Sequence, residues 1–396
     1  MSQNRHFGLE LIDHAANPAG DATRTMLHTL ARWTANDWLR SLDEAFVLFL
    51  HELDPATPPL VLLAAALASH QLGRGHVCLD LQATLADSRF ALSLPPDAVD
   101  GNGEADDAPL PLPSDVLAGV TLVHWQTALQ ASGLVASGAD PAAAGTPLVL
   151  QGNRLYLRRY WQHEQDVANA INARIAVSQD QRAQRTPAQD QSLRQALDVL
   201  FPPQADAQGD QPQGDASGQP DWQKVACALA ATSAFAIITG GPGTGKTTTV
   251  VKLLALLQSM AVKGHTGGAA APSRPLRICL AAPTGKAAAR LTESIVQALA
   301  RLHDEQLPDI PAVERNGQLC TLKDLIPTDA QTLHRLLGSR PDSRHFRHNA
   351  NQPLALDVLV VDEASMVDLE MMAAVLNALP AHARLVLLGD KDQLAS

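Results

Sequence analysis

The sequence predicts an α/β protein in which an open parallel sheet with helices on both faces follows a mainly helical N-terminal region. Helical periodicity dominates residues 24–81, whereas short apolar strands alternate with longer helical segments after residue 220. This alternation is typical of parallel sheets, because each pair of parallel strands needs a crossover connection. In addition, a glycine-rich run, GGPGTGKT, directly follows the first of these strands, as it does in P-loop sheets.

Length and composition restrict the class of protein. The 396 residues suffice for two or three domains at about 100–200 residues each, and the apolar content of 46% is that of a globular chain. The 41 acidic and 30 basic residues give a formal net charge of −11, which argues mildly against nucleic-acid binding by the chain as a whole. Only local basic patches could reverse that argument.

Cysteine usage and apolar runs indicate a compartment. The four cysteines are widely spaced and form no CxxC pair, so the sequence favours neither a zinc site nor a disulfide framework. The longest apolar run, LVLLAAALA, is far shorter than the roughly 18 residues that span a bilayer. We therefore expect a cytoplasmic protein without a membrane segment.

The clearest boundary is the segment 201–220, FPPQADAQGDQPQGDASGQP, which contains almost no apolar residues. Its composition predicts a flexible linker or a long loop. We expect residues 1–110 to form a mainly helical partner-docking domain and residues 111–200 to form a connecting region of strands and helices. Residues 221–396 then form the sheet domain.

Four strands are predicted in the sheet domain, AFAIIT, RICLAA, LDVLVV and RLVLLG, and each leads into Gly, Thr or Asp. We expect two surface loops to interrupt them, at residues 262–275 and at roughly 303–330. In the connecting region, PLVLQGNRLYLRRYWQHEQ predicts two strands joined by a tight turn at Gly152 and Asn153, followed by a helix.

The segment from Gly240 to Thr247 matches the phosphate-binding pattern G-x-x-x-x-G-K-[ST] between a strand and an amphipathic helix. Backbone N–H groups and the helix N-terminus would bind phosphate, Lys246 would reach the β- and γ-phosphates, and Thr247 would bind Mg²⁺. The alternative is a glycine-rich turn with a chance lysine, which the flanking elements disfavour. The predicted cradle comprises Gly240, Gly241, Pro242, Gly243, Thr244, Gly245, Lys246, Thr247 and Thr248.

Two carboxylates, Asp362 and Glu363, follow the apolar strand LDVLVV. Ligands of open α/β sheets bind at the carboxyl ends of the strands, so both side chains would face the phosphate site. We predict that Asp362 holds Mg²⁺ and that Glu363 activates the attacking water, and we therefore expect hydrolysis rather than binding alone. The alternative is a solvated strand end followed by a helix cap between Ser365 and Asp368.

Three further stretches narrow the kind of ATPase. APTGKAAARL opens a helix with Thr284 and Lys286, which would suit the phosphodiester of a nucleic-acid strand. GDKDQL supplies Gln393, whose amide would sense the γ-phosphate. TLHRLLG and SRPDSRHFRHN form a local basic patch, for which an exposed loop is the better explanation when the patch is taken alone. Its members are Arg335, Arg340, Arg344, Arg347 and Phe346, an aromatic that could stack on a base.

Six stretches in this order, DWQKVACALA, GGPGTGKTTTV, APTGKAAARL, TLHRLLG, VVDEASMVD and GDKDQLAS, resemble those of superfamily 1 helicases, and most closely the RecD family. LGRGHVCLDL and RLYLRRYWQHEQ resemble that family outside the motor. The resemblance implies a RecA-like motor domain with ATP and Mg²⁺ as cofactors. It also implies that Gln223 reads the adenine. The residues handling the triphosphate would be Lys246, Thr247, Asp362, Glu363 and Gln393, and those contacting single-stranded DNA would be Thr284, Lys286, Thr332 and His334.

The same resemblance implies the partners. RecD-family proteins are alpha subunits of exodeoxyribonuclease V, so we expect RecB-like and RecC-like subunits, with the nuclease site in a partner subunit. The complex would process double-strand DNA ends in recombinational repair, and this subunit would move 5′ to 3′ along single-stranded DNA. The alternatives are a stand-alone RecD-like helicase and an ATP-binding interaction module that does not translocate.

Family members carry a second RecA-like domain with an arginine that completes the ATP site, and we expect this chain to be a piece that ends after the first motor domain. An arginine finger accelerates phosphoryl transfer by roughly 10³- to 10⁵-fold. The chain alone should therefore bind Mg-ATP and hydrolyse it slowly.

Overall fold

The computed structural model describes residues 18–96, 109–138, 145–202, 220–241, 243–264, 274–315, 318–343 and 345–390. Most of the predicted linker lies outside the described residues, as do Pro242, Arg344 and Gln393. The chain divides into two compact units, Met1–His163 and Glu164–Ser396. This boundary falls inside a helix, so the finer division at residues 110 and 200 stays a prediction.

The first unit is mainly helical, as predicted, and also contains a small mixed sheet. Its helices are α1 (Pro18–Ala35), α2 (Ser41–Leu53), α3 (Pro59–Gly73), α4 (Leu81–Ala86), α5 (Ser88–Leu92), α6 (Pro113–Val116) and α7 (Leu122–Gln130). Its strands are β1 (Leu79–Asp80), β2 (Val135–Ser137), β3 (Leu148–Gln151) and β4 (Arg154–Leu157). They lie in the order β1-β4-β3-β2, and only the β2–β3 pair is parallel. The predicted turn at Gly152 and Asn153 joins β3 to β4.

Helix α3 forms the centre of this unit because its sequence is apolar on every side, and all residues from Val61 to Gln71 are buried. Trp33 and Trp125 are fully buried beside it. Their indole N–H groups donate to the carbonyls of Pro111 (2.8 Å) and Leu60 (3.0 Å), so neither ring leaves a buried donor unpaired. None of the described helices is long and apolar enough to cross a membrane.

Helix α2 carries an exposed apolar stripe. Leu42, Phe49 and Leu53 are 65%, 53% and 56% exposed, and their spacing of seven and then four residues lines them up along one side of the helix. Val47 and Leu50 on a different side are buried in the core. We call Leu42, Phe49 and Leu53 the α2 stripe.

The second unit is built on a parallel sheet. Its helices are α8 (Arg158–Ala183, which crosses the boundary), α9 (Pro187–Leu200), α10 (Trp222–Ala231), α11 (Lys246–Val262), α12 (Gly285–Arg301), α13 (Leu333–Leu337) and α14 (Leu369–Ala378). Its strands are β5 (Phe235–Thr239), β6 (Ile278–Ala282), β7 (Val313–Arg315), β8 (Gln318–Cys320), β9 (Ala330–Thr332), β10 (Val358–Val361) and β11 (Arg384–Gly389). The hairpin β7–β8 stands apart from the main sheet.

The main sheet has the order β5-β11-β10-β6-β9, and every pair in it is parallel. Side chains from α9, α10, α11 and α12 pack on one face, and those of α13 and α14 pack on the other. This confirms the predicted fold class, a parallel sheet covered by helices on both faces. The four predicted strands correspond to β5, β6, β10 and β11.

The expectation of a surface loop over residues 303–330 was partly wrong. Leu322, Leu325 and Ile326 in this segment are buried, and the Gln258 side chain donates to the Leu325 carbonyl at 2.8 Å. The segment then enters β9, a fifth strand that was not predicted. Only part of the insertion is exposed, notably the β7–β8 hairpin, where Leu319 faces solvent.

A buried carboxylate fastens the amino-terminal ends of β6 and β10. Asp357 is 7% exposed and accepts hydrogen bonds from the side chains of Arg274 (2.8 and 2.9 Å) and Arg277 (3.1 Å) and from the Arg277 backbone N–H (2.8 Å). His382 Nε2 lies 3.4 Å away. Burial alone would raise the pKa of Asp357, but the hydrogen bonds from both arginines outweigh it and hold the pKa well below its ordinary value.

We predict that Asp357→Asn lowers the free energy of unfolding by about 2 kcal/mol at pH 7, because two arginines lose their buried acceptor charge. The lowered pKa means that wild-type Asp357 stabilises the fold above the unfolded-state pKa of about 3.9, and that this contribution is lost as the pH falls below that value. Urea unfolding at several pH values should therefore show that the free energies of unfolding of the wild type and of Asp357→Asn become equal in acid.

Asp198→Asn is the matched control, since Asp198 pairs with Lys224 at 2.7 Å while remaining 67% exposed. This change should cost less than about 0.5 kcal/mol. Equal losses for both substitutions would contradict a special role for Asp357.

Candidate functional site at the carboxyl edge of the sheet

All five parallel strands of the main sheet end at the same edge, where α/β proteins bind their ligands. The predicted phosphate-binding loop follows β5 and the two predicted carboxylates follow β10, and β11 ends between these two strands. The predicted DNA residues follow β6 and β9, the next two strands in the sheet order. The structure thus brings the two predicted groups to adjoining parts of one edge.

The phosphate-binding loop runs from the end of β5 to the start of α11. Gly243 and Gly245 adopt φ values of 78° and 80°, a region that disfavours residues with a side chain. At Gly240, an added Cβ would lie 2.7 Å from Thr244 Oγ1, so a side chain here would force Thr244 to shift. The loop backbone therefore leads directly into the N-terminus of α11. The free N–H groups at a helix N-terminus favour the binding of anions.

Lys246 and Gln223 both contact this loop. The Lys246 ammonium donates to the Gly240 carbonyl. The lysine side chain, which is predicted to bind phosphate, therefore extends from the end of the loop back to its start. Gln223 sits in the first turn of α10, which Asp221 caps by accepting from the Gln223 and Lys224 N–H groups (2.9 and 3.1 Å). Its Nε2 donates to the Thr244 carbonyl at 3.3 Å. The predicted adenine reader is therefore held against the phosphate-binding loop.

Strand β10 delivers the two predicted carboxylates. The Asp362 N–H continues the ladder by donating to the Ala281 carbonyl at 2.9 Å, and Glu363 turns the chain with a φ of 51°. Burial raises the pKa of Asp362 and the Glu363 charge adds to this, while the backbone N–H of Glu363 and the charges of Lys246 and Arg290 act in the opposite direction. Asp362 is thus a carboxylate whose negative charge is under-compensated.

An under-compensated carboxylate oxygen is a suitable ligand for a hard cation such as Mg²⁺, which binds oxygen donors and retains several waters. Thr247, in the first turn of α11, supplies a hydroxyl next to Lys246. The predicted metal residues Thr247 and Asp362 therefore offer the donor types that Mg²⁺ prefers.

The end of β11 lies between the phosphate-binding loop and the turn after β10. The Gly240 N–H donates to the Gly389 carbonyl at 3.4 Å. A Cβ built on Gly389 would lie 3.5 Å from the Ser365 nitrogen and 3.8 Å from the Ala364 nitrogen. We call this arrangement the Gly389 junction, because one residue contacts both halves of the candidate nucleotide site.

The predicted DNA residues begin the helices that follow β6 and β9. Thr284 caps α12 by accepting from the Ala287 N–H, and Thr332 caps α13 by accepting from the Arg335 N–H, each at 3.2 Å. The two strands pair directly, with Ala282 opposite Thr332. Lys286 and His334, each two positions after the capping threonine, have exposed side chains. These two helix starts form one continuous part of the edge.

In the basic patch, the arginines that the structure describes are exposed, but the aromatic ring is partly buried. Arg335, Arg340 and Arg347 are exposed, but Phe346 packs partly into the core beneath α13 and lies edge-on to His334, with ring centroids 6.0 Å apart. Its ring is therefore only partly free to stack on a base.

Arg290 was missed as a site residue by the sequence analysis. Its charge lowers the pKa of Asp362, and it lies one helical turn after Lys286 on α12. The spacing of four residues in APTGKAAAR could have indicated it, because residues i and i+4 share a helix face.

Two family models and several curated proteins are similar to this chain. Residues 35–156 match the family model "RecBCD enzyme subunit RecD, N-terminal domain", and residues 223–396 match an AAA domain model. RecD of Haemophilus influenzae is 38% identical over 343 residues, covering 85% of this chain and 45% of that protein. RecD of Mycolicibacterium smegmatis is 38% identical over 337 residues, covering 84% and 46%. The ATP-dependent RecD2 DNA helicase of Deinococcus radiodurans is 33% identical over 196 residues, covering 46% and 21%.

The parallel sheet, the phosphate-binding loop and the carboxylates after β10 define a RecA-like P-loop protein. With a matching N-terminal domain and relatives aligned over most of its residues, the chain belongs to the RecD family. It spans about half the length of the curated relatives it matches.

We predict that Asp362→Asn stabilises the nucleotide-free protein at pH 7, raising its melting temperature by about 1–3 °C. Because the pKa of Asp362 is raised, the ionised carboxylate destabilises the fold above that pKa, and protonation removes this cost as the pH falls. Thermal unfolding should show the gain at pH 7 and its disappearance in acid. Asp309→Asn, at an exposed position, should have no such pH-dependent effect. A less stable Asp362→Asn variant at pH 7 would disprove this account.

Proposed function

We propose that the chain is the ATP-binding part of a RecD-type DNA motor, an ATP-dependent 5′ to 3′ helicase subunit of a RecBCD-type complex that processes double-strand DNA ends. The observation that carries the proposal is the shared edge, where the phosphate-binding loop, the carboxylates after β10 and the starts of α12 and α13 lie on neighbouring strands. With this arrangement, a nucleotide and a DNA strand would bind side by side at the same edge of the sheet.

On the nucleotide side, backbone N–H groups of the loop and the N-terminus of α11 bind the phosphates, and Lys246 leaves the Gly240 carbonyl to bind the β- and γ-phosphates. Thr247 and Asp362 hold Mg²⁺, which when bound neutralises charge on the phosphate oxygens. Gln223, already against the loop, reads the adenine.

Hydrolysis follows from the position of Glu363. Its carboxylate orients a water and accepts a proton from it as the γ-phosphoryl group is transferred. The positive φ of Glu363 turns the chain directly after Asp362, which allows consecutive carboxylates to take different roles. Gln393, outside the described residues, senses the γ-phosphate in this proposal.

On the DNA side, the starts of α12 and α13 bind the backbone of a single strand. Lys286 supplies a charge, and Thr284, Thr332 and His334 supply hydrogen-bonding groups beside it. The contacts are to phosphate and sugar, so they would fix the position of the strand without reading its sequence.

The first unit serves as the docking domain for RecB-like and RecC-like subunits. The match to the RecD N-terminal domain supports this role, and the α2 stripe provides apolar area of the kind found at stable interfaces. The similarity to RecD2 of Deinococcus radiodurans supports a stand-alone helicase as the second candidate. Co-purification with large partner subunits separates the two.

For nucleotide binding, we predict that Lys246→Ala raises the Kd for Mg-ATP by about 10- to 100-fold, because a charge-assisted contact to phosphate is lost. Equilibrium titration with fluorescent ATP measures this change. Lys263→Ala is the matched control, since Lys263 follows the last residue of the same helix α11, and its affinity should stay within twofold of wild type. Unaltered binding by Lys246→Ala would mean that the loop is not the nucleotide site.

For DNA, we predict that Lys286→Ala weakens binding of single-stranded oligonucleotides of any sequence and reduces the slope of log K against log salt by about 0.7, the value for one lost phosphate contact. Titrations at several salt concentrations measure the slope, with Lys263→Ala again as control. An unchanged slope would remove Lys286 from the interface. DNA-stimulated ATP hydrolysis would also count against the alternative that the chain is an ATP-binding interaction module that does not translocate.

A further inference from the structure

The Ser365 hydroxyl is a buried polar group without a hydrogen-bond partner among the described residues. Ser365 lies in the short turn Ala364–Met366, two residues after the Glu363 carboxylate. A hydroxyl in this position has lost its hydrogen bonds to water and has gained none from the protein. Such groups are rare in native proteins because each one costs folding stability.

Capping of the next helix does not account for this serine. Helix α14 is capped by Asp368, whose carboxylate accepts from the Met371 N–H at 2.7 Å. Ser365 could be replaced by alanine without loss of any hydrogen bond that the described residues make. No structural role among the described residues therefore explains why this position carries a hydroxyl.

The surroundings of Ser365 point to the nucleotide. Its backbone nitrogen packs against Gly389, and the Gly389 carbonyl accepts from the Gly240 N–H of the phosphate-binding loop. One residue thus separates Ser365 from the start of that loop, while Asp362 and Glu363 directly precede its turn. Ser365 therefore lies in the turn through which Gly389 connects the two halves of the candidate site.

We propose that Ser365 is a nucleotide-sensing residue whose hydroxyl donates to an oxygen that arrives with the terminal phosphate, either a phosphoryl oxygen or a water ordered beside it. The hydroxyl is unpaired without nucleotide and becomes paired with ATP, so its missing hydrogen bond favours the loaded state. This inference rests on the proposed function, because it requires that Mg-ATP binds at the loop.

The proposal requires opposite changes in two properties of Ser365→Ala. Removing an unpaired hydroxyl should raise the melting temperature of the nucleotide-free protein by about 2 °C. Removing the donor to the terminal phosphate should raise the Kd for Mg-ATP about tenfold or more. The Kd for Mg-ADP, which lacks that phosphate, should change less than twofold.

Ser178→Ala is the matched control, because the Ser178 hydroxyl is buried like that of Ser365 but makes hydrogen bonds. It donates to the Arg174 carbonyl and accepts from the Ala234 N–H, both at 2.7 Å. This variant should have a lower melting temperature and unchanged affinity for both nucleotides. Comparing the two variants therefore distinguishes a hydroxyl without a hydrogen bond in the nucleotide-free protein from a hydroxyl that stabilises the fold.

The experiment measures thermal unfolding and titrations with fluorescent ATP and ADP for the wild type and both variants. A lower melting temperature of nucleotide-free Ser365→Ala would show that the hydroxyl is already paired, and equal loss of ATP and ADP affinity would show that it does not respond to the terminal phosphate. Either result overturns the inference. If the wild type itself fails to bind Mg-ATP, the proposed function fails instead.

Discussion

The candidate site depends on the burial and pairing of β10. This strand pairs with β6 on one edge and β11 on the other, and all residues from Val358 to Val361 are buried. Their side chains alternate between the two hydrophobic cores on opposite faces of the sheet. A slip of one residue would exchange these faces, so packing fixes where the strand ends. The position of Asp362 is therefore set by apolar contacts rather than by a ligand.

Two aspartates flank this strand and illustrate opposite uses of a carboxylate. Asp357 precedes it, and donors from two arginines outweigh burial and lower its pKa. Asp362 follows it, and burial raises its pKa because the opposing charges are insufficient. The first end of the strand is thus saturated with donors and stabilises the fold. At the second end, the charge of Asp362 is not fully compensated by nearby positive groups. Such carboxylates are typical of ligand-binding sites rather than of structural contacts.

The sequence predicted the parts of the fold whose signals are local. Four strands were recognised because each is a continuous apolar run, and the phosphate-binding loop because its glycines and Lys246 have fixed spacing. Strand β9 was missed because Ala330–Thr332 is short and partly polar, and its pairing with β6 depends on the rest of the sheet. The Gly389 junction was also beyond sequence reasoning, since it arises from the register of β11 against its neighbours.

The order of strands also explains how DNA and nucleotide could influence each other under the proposed function. Helix α12 follows β6, the strand next to β10, and it carries both Lys286 and, one turn later, Arg290. The positive charge of Arg290 favours the ionised form of Asp362, whereas Lys286 is exposed at the start of the helix. A strand of DNA bound at Lys286 would hold α12 in one position and would add negative charge near Arg290. Under the proposed function, α12 is thus the helix that connects the DNA-binding half of the edge to Asp362.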